Sequence, residues 1–306
     1  LIPVALTFPE LDVEQVEIRS ASTETLTSPN MADLKRILHG AFDQRSELDI
    51  EIKLAKPDQD ALARKVDRWQ RGFLLRKLFP NRFTEIKARA STADARVAEL
   101  EEQLRQSVVA TEINFAAAQA EPYYRMRDAF SGLCECSVIW DTLTERHIDR
   151  VRARSHASLI VTRKPVTFSL GACDLINWDP QVPWVRNAMG GEMFIYPGFA
   201  LYRTSRQAFS VIDVSEITLT HGRVTFTENE RVPKDSRVIG QTWARVNKDG
   251  SPDRRFSNNF QIPLAEYGVA YFTTDTGLRE EFMVSNFQRA EAFADAWEAW
   301  AKAMGR

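Results

Sequence analysis

Cysteine is scarce in this chain of 306 residues: Cys134, Cys136 and Cys173 cannot all pair within one molecule, which excludes a disulfide framework. Reduced thiols in a cytoplasmic protein are the expectation. Long apolar runs are absent as well, none approaching the roughly 20 residues that span a bilayer, so a transmembrane segment is not expected. The start, Leu1 to Leu6, has no basic stretch before it and soon reaches Pro9-Glu10, unlike a signal peptide. It also has no initiator Met, and is read as a trimmed or processed end. Charge of one sign is not in excess either: the formal net charge is −2, so any electrostatic role must be local.

Catalytic signatures are also missing. There is no Gly-x-Ser-x-Gly elbow and no Gly-x-x-x-x-Gly-Lys phosphate loop, so hydrolase and nucleotide-binding readings lack a nucleophile or a cradle. Cys134-Glu135-Cys136 has one intervening residue where structural zinc sites use two to four, and His147 and His156 have no second Cys pair near them. No metal or other cofactor is expected.

What the chain does have is an ordinary globular composition, 44% hydrophobic and 27% charged, and two kinds of pattern. After Ser28-Pro29-Asn30, a helix carrying Leu34, Leu38 and Ala41 is predicted. Leu48-Asp49-Ile50-Glu51-Ile52-Lys53-Leu54 alternates with period two and reads as a strand, a length at which a helix remains open. From Pro57 the period is helical. Leu62, Val66, Trp69 and Phe73 follow one stripe; beyond Pro80, Phe83, Ile86, Ala90, Ala93, Val97, Leu100 and Leu104 form a heptad seam. Such a seam, Phe83–Leu104, packs either within the chain or against a partner or second copy.

Short strands follow from residue 137, with turn signals at Pro197-Gly198, Thr204–Gln207, His221-Gly222, Lys248–Pro252 and Asp275–Gly277. Ser285-Asn286-Phe287-Gln288 reads as a capping box, with Ser285 as the cap. It opens a helix from Asn286 to about Met304 with Ala290, Phe293, Ala294, Trp297, Ala301 and Met304 on one face. The expected fold is therefore α+β: an N-terminal helical hairpin or coiled coil, then an antiparallel β-barrel or sandwich closed by a C-terminal amphipathic helix. Three parts are expected: a mixed segment over 1–56, the helical hairpin and its connector over 57–136, and the β-rich part over 137–306.

The strands from Met193 to Val284, followed by the helix with Trp297 in its apolar face, resemble the pleckstrin-homology-like superfold. The stretch Gln241 to Phe256, including Trp243, Asp249, Gly250 and Arg254-Arg255-Phe256, is similar to a segment that recurs in uncharacterised bacterial proteins. The superfold likeness covers about a third of the chain. It implies a platform that binds a peptide, a partner subunit or an anionic headgroup, by analogy of fold alone.

Four groups of residues are candidates for function. Lys248, Arg254 and Arg255, with Arg203 and Arg206, are placed at a barrel rim, where arginine suits bidentate binding of an acidic partner. Their plain alternative is a surface turn with local ion pairs. Residues 62–90 carry nine basic against two acidic residues, a local charge of +7, among them Arg64, Lys65, Arg68, Arg71, Arg76 and Lys77. Interleaved aromatics make that stretch a candidate nucleic-acid or anionic surface, or else a hairpin with a solvated basic face. The run His147 to Arg154 is a shorter case. Asp43 with Glu51 and Lys53 is the one enzyme-like pattern, a strand-borne Glu-x-Lys that would hold Mg²⁺ in a nuclease; alternating charge on an exposed strand accounts for it equally. The leading expectation is a non-enzymatic scaffold, with the coil for assembly and the β-rich part for recognition.

Overall fold

The computed structural model describes residues 15–107, 109–110, 117–147, 155–157, 159–174, 176–205 and 207–305. In chain order the elements begin β1 (Gln15–Glu17), α1 (Ala32–Arg71), α2 (Phe73–Leu78), α3 (Pro80–Gln106), β2 (Val109–Ala110), α4 (Ala117–Cys134), β3 (Ile139–His147), β4 (Leu159–Val166) and β5 (Ser169–Gly171). They continue β6 (Ile176–Asn177), β7 (Val182–Arg186), β8 (Glu192–Ile195), β9 (Phe199–Arg203), β10 (Phe209–Asp213), β11 (Thr218–Thr227), β12 (Arg237–Trp243), β13 (Gln261–Thr273), β14 (Arg279–Val284) and α5 (Phe287–Ala303). The architecture is α+β, and it separates into two compact units. One comprises 1–32, 112–172 and 180–306; the other comprises 33–111 and 173–179. The expected boundary at 56/57 falls inside α1.

The smaller unit is an antiparallel hairpin of α1 and α3. Every member of the heptad seam from Phe83 to Leu104 is buried or half-buried, while the residues between them are exposed except Glu101. The seam meets α1: Leu48 and Ile52 pack with Leu100, Ala55 and Leu104 join them, and Trp69 stacks on Phe83 with centroids 6.3 Å apart. Cross-links flank it, Glu51–Arg96 at 2.9 Å, Lys56–Glu101 at 3.0 Å and Gln59–Asp94 at 2.9 Å.

One expectation is corrected here. The predicted strand over 48–54 is part of α1, with Leu48 and Ile52 buried and Ile50 and Leu54 exposed. Helical rather than extended geometry puts positions four apart on one face. Helix α1 also runs through Pro57, which is exposed. The lost amide bond is offset by the packed stripe that continues on both sides of it.

The larger unit contains two antiparallel sheets. The first runs β10-β9-β8-β7-β5. In the second, β3 pairs with β4 along one edge and with β14 and β1 end to end along the other; β13 likewise pairs with β11 on one edge and with β14 and β12 on the other. No pairing joins β4 to β11, so among the described residues this seven-stranded sheet is open and not a closed barrel. His221-Gly222, expected as a hairpin turn, lies within β11, because ten consecutive residues from Thr218 to Thr227 pair with β13.

One continuous core takes side chains from both sheets and from α4 and α5. Phe272, Phe293 and Trp297 form a cluster of edge-on and tilted rings 5.6–6.4 Å apart. Trp300, outside the expected stripe, is fully buried against Tyr123 of α4 at 5.4 Å. Helix α5 approaches β13 so closely that a Cβ on Gly268 would lie 2.5 Å from that of Ala290. Its cap is Asn286, whose side chain accepts from the Arg289 amide at 3.1 Å. Ser285, the expected cap, instead accepts from the Val138 amide and donates to Asp235, both at 3.1 Å.

Candidate functional site

Residues of β4 and of β11, strands that lie toward opposite edges of the seven-stranded sheet, line one cavity, so the sheet curls around it. At one end this concave face is filled. Arg163 of β4 lies between the rings of Trp140 and Phe226, 4.0 and 4.2 Å from their centroids, and pairs with Glu228 at 2.5 Å. Tyr267 donates to the same Glu228 oxygen at 2.7 Å, and Met283 Sδ accepts from Arg163 at 3.3 Å. Both charged side chains are nearly dry, 9% and 2% exposed, and the pair is satisfied on every side.

Beyond that plug the face opens into a cavity of about 420 Å³. Its walls are apolar: Ile160 and Val161 of β4, Val224 and Phe226 of β11, and Ile262 and Met283. Trp243, the last residue of β12, also lines it. Two carboxylates look in, Glu145 of β3 and Glu281 of β14, with Ser155, His156 and Asn229 at the margin. Burial pushes the Glu281 carboxyl up to about 7, and the negative charges of Glu145 and Asp141 push in the same direction. A register shift between Thr142 and Thr144 supports this arrangement. The extra residue flips the alternation, so Asp141 and Leu143 line the opposite side of the strand while Glu145 returns to the concave side.

On that opposite side a second cavity, of about 510 Å³, holds Glu280. Its carboxylate accepts from Ser20 at 2.7 Å, Tyr202 at 2.8 Å and the Asn187 amide at 3.1 Å to each oxygen. Asp141 beside it accepts from the Ala188 amide at 2.8 Å. These groups answer one another and tie the two sheets together. Glu281, by contrast, meets apolar walls, a second carboxylate and the Thr142 hydroxyl, which opposes the upward shift only in part.

The residues expected from sequence lie elsewhere. Lys248, Arg254 and Arg255 sit on the loop after β12, which is closed by its own bonds. Asp249 accepts from the Ser251 amide and hydroxyl at 3.1 and 2.7 Å, and Arg255 forms a two-pronged pair with Asp253 at 2.9 and 2.8 Å. Arg254 and Lys248 are exposed. Arg203, on β9 of the other sheet, pairs with Glu192 at 2.6 Å and stacks over Phe194 at 5.0 Å. Arg206 lies outside the described residues, as does the run from 148 to 154. Arg64, Lys65, Arg68 and Arg71 are exposed on α1, and Lys77 is exposed on α2 beside Arg76.

Asp43, Glu51 and Lys53 are all on α1, so the strand that a nuclease core requires is not formed. Glu51 is bound to Arg96, and residues two apart on a helix point to opposite sides. Burial raises the Cys134 and Cys136 thiols to about 11, which keeps both protonated. Among the described residues no cluster of three His, Cys, Asp or Glu is arranged to hold a metal, and no helix is long and apolar enough to cross a membrane.

Sequence reasoning missed Glu145 and Glu281. One signal was available: Glu280-Glu281 in a strand must place one carboxylate on each face of the sheet. In comparisons with known proteins, no family model, no curated protein and no solved structure matched this chain.

Proposed function

We propose that the protein is a non-enzymatic binding and assembly protein whose curled sheet takes a cationic group carried on an apolar body. The observation that carries this reading is the Glu281 carboxyl, held up at about 7 in an apolar-walled cavity that Glu145 shares. A cation entering there relieves the repulsion between two carboxylates and replaces the water that burial has removed. The cavity volume, about 420 Å³, falls in the range used for small ligands and for one anchoring side chain. A primary amine or a guanidinium fits the donor requirement, whether on a free ligand or at the tip of a partner's Lys or Arg.

The likeness to the pleckstrin-homology-like superfold belongs to the same proposal. It is supported by curled antiparallel strands and a terminal helix docked across β13. The assembly role rests on the α1–α3 hairpin, whose burial alternates by three and four residues along both helices, as in a coiled coil.

Three probes sharing one apolar body test the recognition: tryptamine, 3-ethylindole and indole-3-acetate, titrated calorimetrically at pH 8. Tryptamine is expected to bind at least ten-fold more tightly than the other two. Its affinity should fall as pH drops through 7, and Glu281→Gln should remove the preference. Equal binding of all three, or a preference for the acetate, would overturn the reading. A peptide bearing a single Lys then separates a partner side chain from a free amine.

A further inference from the structure

We propose that the turn end of the helical hairpin docks on an anionic lipid surface. The turn is α2, set between the end of α1 and the start of α3. It leaves large apolar side chains in water: Leu74 is 70% exposed, Leu78 68% and Phe79 49%. Leu74 and Leu78 are four apart on a helix and therefore share a face. None of the three has a place in the hairpin seam, which closes below them with the stacked rings of Trp69 and Phe83.

Around this apolar tip the charge is of one sign. Between residues 64 and 82 there are seven basic residues and one acidic residue, a local charge of +6. The whole chain sums to −2, so the remainder carries −8. The acidic member, Asp67, is occupied by Arg71 at 2.8 Å. Arg64, Lys65 and Arg68 approach along α1, Lys77 lies between the two leucines in sequence, and Arg82 of α3 lies over the Phe79 ring at 6.0 Å. All five are exposed.

Exposed leucines beside arginines distinguish the occupant. A nucleic-acid backbone is met by cations and polar donors, and aliphatic tips add nothing to phosphate contacts. At a lipid surface both halves are used: the cations meet anionic headgroups while Leu74, Leu78 and Phe79 enter the acyl boundary. Three apolar side chains are too few to hold a protein of this size on neutral lipid, so the two signals must act together. Each basic residue near an anionic surface strengthens binding roughly five-fold.

The test uses the full chain with sedimented vesicles of phosphatidylcholine alone and of phosphatidylcholine with about a third phosphatidylserine. Binding is expected only to the anionic vesicles, falling steeply between about 50 and 300 mM salt. Leu74→Ser with Leu78→Ser should weaken it at least ten-fold. Arg68→Glu with Lys65→Glu should weaken it more. All four positions are exposed, and circular dichroism confirms that each variant is folded.

A duplex DNA oligonucleotide of matched charge runs in parallel at each salt concentration. Three results would overturn the proposal: no anionic-vesicle binding, equal binding to neutral vesicles, or vesicle binding indifferent to the two leucines. Tighter binding to DNA that the leucine variants leave unchanged would also overturn it and would assign the tip to nucleic acid. This outcome is independent of the cavity, because none of the substituted residues lines it.

Discussion

On one face of the seven-stranded sheet, Ala270, Phe272, Phe282 and Val284 lie under α5 and α4 with no charge among them. On the other face, Trp140, Tyr267 and Met283 close around the Arg163–Glu228 pair, and beyond it Glu145 and Glu281 face a cavity. The same strands build both faces, so the difference comes from alternate residues. The first face is closed by apolar packing under the helices, and where it does bury carboxylates, at Glu280 and Asp141, each is met by hydrogen-bond donors. The second keeps charge in a dry place, which costs stability unless each group finds a partner. Arg163 and Glu228 have theirs. Glu281 has the Thr142 hydroxyl but no cation among the described residues, and that inequality is the ground for the proposed binding site.

Substitutions can break either side of this contrast, and the largest effect belongs to the plug. Glu228→Ala leaves the Arg163 guanidinium dry and uncompensated, and should cost about 3–5 kcal/mol in denaturant unfolding. Replacing Arg163 and Glu228 together by Met and Leu should recover most of that loss, because no orphan charge remains. Next comes the apolar face, where Phe293→Ala should cost about 3–4 kcal/mol through the cavity it leaves. Gly268→Ala sets a methyl against Ala290 and lifts α5 from β13; a loss of about 1–3 kcal/mol is expected, and Gly268→Ala with Ala290→Gly should regain part of it.

The smallest effect has the opposite sign. The folded Glu281 carboxyl titrates at about 7 against an ordinary value of 4.5, so its contribution is full below pH 4.5 and lost as pH rises through 7. Glu281→Gln should therefore stabilise the protein at pH 8, by on the order of 1 kcal/mol after allowing for its partial exposure, and change little at pH 4. Thermal melts at both pH values check the sign.

Which parts were legible in the sequence follows from how local their causes are. The α3 seam was readable because its seven apolar positions keep a 3-4 spacing, and all seven turn inward. The matching stripe of α1 was obscured on both sides. Arg45 and Gln59 occupy inward positions, while Ile50 and Leu54 are apolar on the outside and mimic a strand with Leu48 and Ile52. The terminal helix was readable from its stripe, but Trp300 became core only through Tyr123 of a distant helix. At the start of the helix, Asn286 and Ser285 divided the work that adjacency alone suggested for Ser285.

The cavity was the least legible part. Glu145 and Glu281 are far apart in the chain, and they meet on one side only because of a bulge at Leu143 and the curl that brings β4 toward β11. The loop from Lys248 to Arg255 drew attention because its charges are consecutive. Proximity in sequence also lets Asp253 bind Arg255, which turns a site signal into a turn.

The central proposal is that Glu281, which has no cationic partner among the described residues, receives a cation from its ligand. Its side-chain titration, followed by ¹³C NMR on the full chain with Glu281→Gln to assign the signal, tests that most directly. A midpoint near 7 that moves down by a unit or more when tryptamine is added is the predicted result. A midpoint near 4.5, or one near 7 that saturating tryptamine leaves unmoved, would contradict it.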